Sequence, residues 1–133
     1  MAVTAAVCDS YTQEILSGLH TSANTYKIAL YTQAGATLSA STTAYTATGE
    51  ISGTGYTVGG ATLAGFSTSL AGGIASLTFT SPSWSSSTIT ADAAMIYNSS
   101  QSNKAVAVLT FTSASSTNGT WTLTLPTTLI NIS

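Results

Sequence analysis

The chain has 133 residues and a net charge of −2, and charged side chains make up only 5% of it, against about 25% in ordinary soluble domains. Lys27 and Lys104 are the only cations, so the counterion release that drives nucleic-acid binding is out of reach. A hydrophobic content of 44% argues against disorder, and no apolar run approaches the roughly 18 residues of a membrane-spanning helix.

The spacing predicts a helix over about residues 4–17. Val7, Tyr11, Ile15 and Leu19 recur at every fourth position, with Cys8 and Leu16 beside them, and form one apolar stripe. Thr4 is the expected N-cap and Gly18 the C′ stop. A helix this short needs a surface to lie on, either the sheet or a neighbouring subunit. Tyr11 and Leu19 are therefore candidate interface residues. Cys8 reads as a small buried hydrophobe on the same helix.

After a turn at residues 20–24, residues 25–33 (TYKIALYTQ) read as the first strong strand, with strands from about residue 25 onward. Tyr26, Ile28 and Leu30 share one face and Lys27, Ala29 and Tyr31 the other. The second face is only lightly polar, so both faces are expected to be covered, and Tyr31 joins the interface candidates. Residues 34–60 are rich in Gly, Ser, Thr and Ala and read as a long excursion, with short strand pieces near 50–52 and 56–58. Tyr45 and Tyr56 sit in it. Tyrosines on such loops make good contact residues, and they can also anchor a loop to its own core.

Residues 60–66 read as a short strand and residues 74–81 as a clearer one, joined by a hairpin turn at Gly72–Gly73. Leu77 and Phe79 point to the core. Trp84 reads as a core plug after Pro82, and residues 85–90 feed a strand through Ile89. The stretch 93–126 carries three apolar runs and two polar tips, and reads as an antiparallel meander at the centre of the domain. Residues 104–111 are apolar on both faces, which places them inside a sheet covered on both sides. Trp121, Leu123 and Leu125 alternate with threonines, Asn118–Gly119 signals a hairpin, and residues 129–132 close the chain as a short strand. The pattern predicts a mainly β fold: one domain over residues 1–133, an antiparallel β-sandwich or jelly roll with one short N-terminal α-helix.

The residues supply no catalytic constellation, and no enzyme, metal site or cofactor is expected. Glu50 and Asp92 are the only acids outside the predicted helix, with no supporting motif for a carboxylate pair. Cys8 and His20 are single copies, where a structural zinc site needs about four such ligands. No nucleophile elbow, P-loop or dinucleotide fingerprint occurs. The opening MAVTAAVCDSY lacks the basic segment of a secretory signal, so synthesis in a cytoplasm is expected. So few charges favour association unless hydroxyls cover the surface or an assembly buries it, and both are expected, since Ser and Thr form roughly a third of the chain.

Taken together, the YKIALYT strand with the TTAYTATGEISGTGYTVGGATL loop, the AAMIYNSSQSNKAVAVLTF hairpin, and NGTWTLTLPT with the Ile-rich end resemble a family of small β-rich virion structural proteins of tailed bacteriophages. AVCDSYTQEILSGLH fits as the helix before the first strand. The resemblance covers nearly the whole chain but rests on turns and strands rather than a site. It implies a capsid cement or decoration protein on the outside of the head, made in the host cytoplasm. Its partners would be the major capsid protein and itself, as a homotrimer at threefold positions. The alternative it implies is a tail, fibre or receptor-binding module. Members often carry a basic residue where this chain has Asp92 or Ala93, just before the strand, and an acid where it has Thr110; the departure removes surface charge here, and with it the basis for any ion pair that the resemblance would imply. Reach to a neighbour is expected from residues 1–3 or from the 34–60 loop.

Overall fold

The computed structural model describes residues 3–126 and 128–132. In chain order its elements are β1 (Val3–Val7), α1 (Asp9–Leu16), β2 (Tyr26–Tyr31), β3 (Ala61–Thr62), β4 (Ser67–Ala71), β5 (Ile74–Thr78), β6 (Ser83–Ser87), β7 (Thr90–Asn98), β8 (Lys104–Ser115), β9 (Gly119–Thr122) and β10 (Ile130–Ile132). They form three antiparallel sheets, ordered β1-β8-β7-β2-β3, β10-β5-β4 and β6-β9. The fold is mainly β with one short helix, consistent with a β-sandwich.

The large sheet is built on β7 and β8. Ala105 to Leu109 are all buried, as the doubly apolar sequence requires. The chain itself covers both faces. Tyr97 of β7 meets the ring of Tyr45 from the long loop at 4.8 Å, while its neighbour Asn98 points the other way, toward the residues after α1. β2 is buried on both faces as expected. Leu77, Phe79, Trp84, Trp121, Leu123 and Leu125 all enter the core.

Four expectations are corrected. The helix does not span 4–17: residues 3–7 are a strand and the helix is Asp9–Leu16. Residues 3–7 (VTAAV) alternate half-buried and exposed, and their main chain satisfies the edge of β8. That pairing outweighs the weak helical preference of an alanine-rich run. The N-cap position is Cys8, not Thr4, and it makes no side-chain cap. The helix end is as read: Gly18 at φ +77° bonds Ile15 O and Leu19 bonds Glu14 O, a Schellman motif.

The central meander is the second correction, because β9 does not return along β8. Both edges of β8 are already occupied, by β7 and β1. After Asn118 (φ +46°) the chain crosses to β6, where Trp121 faces Trp84 with ring centroids 5.6 Å apart. Third, the partner of β5 in the Gly72–Gly73 hairpin is Ser67–Ala71, and the strand expected at 60–66 shrinks to Ala61–Thr62. Fourth, the 34–60 loop holds no strand at 56–58. Single bridges fix it, Tyr31 to Glu50, Ala44 to Lys104 and Thr54 to Thr88. No helix among the described residues is long and apolar enough to cross a membrane. The expected N-terminal arm includes residues 1 and 2, which lie outside the described residues.

Candidate functional site

The long loop closes on Glu50. The Tyr45 hydroxyl donates to Glu50 Oε1; the Tyr56 hydroxyl and the Gly59 N–H each donate to Oε2 at 2.7 Å. The Tyr56 oxygen also accepts the Leu30 N–H at 2.9 Å, which ties the loop to β2. Tyr97 donates to the Gly59 carbonyl, and Tyr31 donates to the Thr46 carbonyl at 2.6 Å. Burial pushes the pKa of Tyr31, Tyr45 and Tyr56 upward, and the Glu50 carboxylate adds to the shift. A phenolate here would face a carboxylate. These hydroxyls therefore stay neutral donors, and the cluster works as a tie.

A second polar cluster surrounds His20, whose side chain is almost fully buried. Its Nε2 lies 2.9 Å from Glu14 Oε1, and its Nδ1 accepts from Asn98 Nδ2 at 3.1 Å. Asn98, also buried, gives its other amide hydrogen to Asn24 Oδ1 at 2.9 Å and accepts the Ser100 N–H. Lys104 Nζ approaches Glu14 Oε2 at 3.6 Å. The amide donor on Nδ1 puts the ring proton on Nε2, facing Glu14. Neither ring nitrogen is left to take a proton from a substrate. Burial first, then Asp9 and Glu14, push the Cys8 thiol up to about 12, so it does not form a thiolate at neutral pH. Among the described residues no group of three or more His, Cys, Asp and Glu is placed to hold a metal ion.

One of the clefts the chain leaves open is apolar. Strand pairing sets Thr68, Leu77 and Ile130 side by side, and likewise Leu70, Ala75 and Ile132, on one face of the small sheet. α1 covers only part of that face. Between them lies a groove of about 250 Å³, with Tyr11 and Ile15 on one wall, Leu77, Ile130 and Ile132 on the other, and Phe66 also lining it. Leu16 is 90% exposed on α1 and Leu70 is 76% exposed on β4.

The five candidate interface residues are not brought together as one surface. Tyr31 is fully buried in β2 and Tyr11 is buried in the groove wall, 4.7 Å from the His20 ring. Tyr45 and Tyr56 are half-buried and anchor the loop from within, and Leu19 is half-buried beyond the helix end. The physical reason is common to the four tyrosines: the fold offers each ring apolar cover. The two most exposed large apolar residues, Leu16 and Leu70, are not among the five. The sequence does contain a signal for Leu70: STSL before Gly72–Gly73 mirrors IASL after it, the alternation of a two-stranded hairpin. No family model, no curated protein and no solved structure matches this chain.

Proposed function

We propose that the chain is a structural component of a bacteriophage virion, a cement or decoration protein that binds the major capsid protein on the outside of the head. The observation that supports this reading is the open apolar groove, together with the exposed Leu16 on the helix that forms one of its walls, on an otherwise nearly uncharged, hydroxyl-covered molecule. Single exposed apolar residues are ordinary, but an open apolar groove and a 90% exposed leucine on the same short helix suit a protein whose surface is covered in an assembly. Its action would be passive: added buried area between neighbouring capsomers resists internal pressure. Self-association at threefold positions belongs to the same proposal. A receptor-binding module would need contact residues on its loops, and the tyrosines of the long loop, Tyr45 and Tyr56, have their hydroxyls bonded inside the chain.

Quantitative mass spectrometry of purified particles tests the proposal. A cement protein is present in hundreds of copies per particle, and particles lacking it lose heat resistance. A few copies, with intact heads and lost adsorption on deletion, would point to the tail reading instead. Absence from particles defeats both. Within the cement reading, Leu16→Lys is expected to reduce occupancy on the head while leaving the far-UV circular dichroism unchanged.

A further inference from the structure

The small sheet ends in a strand that nothing among the described residues covers. β4, Ser67–Ala71, is exposed at all five positions and, among the described residues, pairs only with β5. The Gly72–Gly73 turn, with φ of +57° and +80°, is a two-residue hairpin. Such a turn makes Ala71 and Ile74 a hydrogen-bonded pair. Ser67, Ser69 and Ala71 then direct their N–H and C=O groups at β5, and Thr68 and Leu70 direct theirs outward.

Edges of this kind are normally blunted by charge, proline or a bulge. β4 has none of these, and no charged side chain occurs between Glu50 and Asp92. Several other edges are blunted: β3 has two residues, β6 is interrupted by a bulge near Ser86 at φ +49°, and β1 runs beside β10.

We infer that β4 pairs with β4 of a second copy of this chain, antiparallel, about a twofold axis through Ser69. That register is the one in which the outward groups match. Thr68 of each copy faces Leu70 of the other as a hydrogen-bonded pair, and every outward N–H meets a carbonyl. The side chains match as well. Thr68 and Leu70 share a sheet face, so each exposed Leu70 comes to lie against Thr68 of the second copy and extends the apolar floor of its groove. Like copies of net charge −2 ordinarily repel, but no charged residue of the hairpin approaches the axis. The result is one six-stranded sheet, β10-β5-β4 continued by its twofold image, with both grooves on the same face. Main-chain bonds supply the attachment, so it needs no charged side chain. This pairing stands apart from the virion role: the edge meets its copy whether or not the groove meets a shell. If the copies also form trimers, it joins trimer to trimer.

Sedimentation equilibrium of the full chain tests it, with Leu70→Lys as the disrupting variant. Leu70 is exposed, so the substitution leaves the subunit fold intact by circular dichroism, while it sets two ammonium groups on one face across the axis. The native mass is expected to fall by half. Cross-linking gives a reading independent of that variant. Ser69 faces itself at a non-hydrogen-bonded position, where Cα atoms approach to about 4.5 Å, within disulfide range. Ser69→Cys should be captured as a covalent dimer on mild oxidation. Ser67→Cys, equally exposed but facing Ala71 of the second copy, should not. A wild-type chain that is monomeric up to about millimolar concentration overturns the inference. So does a mass unchanged by Leu70→Lys, or equal cross-linking at the two positions.

Discussion

Gly60 sits at φ +85° against the main chain of β2, where a Cβ would overlap the Ile28 carbonyl. Both the left-handed backbone and the contact require glycine. Gly60→Ala is expected to cost about 3 kcal/mol, read as a lower urea midpoint. Gly72→Ala, which meets open space at φ +57°, should cost about 1 kcal/mol. Titration gives a second residue-scale expectation. Burial pushes the hydroxyls of Tyr11 and Tyr26 up to about 12, from an ordinary value of about 10. The folded state thus holds these protons more tightly than the unfolded chain. Their contribution to stability is fully present below about pH 10 and is lost as pH rises through about 12. Cys8 acts in the same direction. Phenolate absorbance and far-UV circular dichroism should therefore change together above about pH 10. Normal tyrosine titration in an intact fold would count against this burial.

At the scale of elements, the crossing of β9 to β6 is the least local decision in the chain. It places Trp121 against Trp84 and Phe111, with the indole N–H donating to the Ala114 carbonyl at 3.1 Å. Trp121→Ala removes a buried ring and a satisfied donor together, and should cost about 3–5 kcal/mol by denaturant midpoint. Trp121→Phe keeps most of the apolar area and should cost much less. α1 behaves differently. Only Tyr11 of its eight residues is buried. It is held by its Schellman end and by the Glu14–His20–Asn98 chain of hydrogen bonds rather than by an apolar stripe.

For the whole molecule, stability should be graded. β7, β8 and β2 lie inside the large sheet with both faces covered, whereas the β4–β5 hairpin stands at an edge. Hydrogen exchange is expected to be slowest in β7 and β8. In β4 the outward amides of Thr68 and Leu70 should be protected in wild type and fast in Leu70→Lys, a difference that a free monomer would not show. Composition and periodicity by themselves determined much here. The mainly β class, the doubly covered β2 and β8, the inward Leu77, Phe79, Trp84, Trp121, Leu123 and Leu125, and the Gly18 and Gly72–Gly73 stops all follow from local alternation and turn chemistry, which a short window of sequence contains. Only the tertiary structure decided which strands pair. Residues 3–7 became a strand because β8 needed a partner on its second edge, and β9 left β8 because that edge was then taken. The same held for the tyrosines: whether Tyr45 and Tyr56 faced outward or closed on Glu50 depended on a carboxylate that only folding brings to both. Hydrogen-bond satisfaction is an account kept over the whole sheet, and no window of sequence contains it.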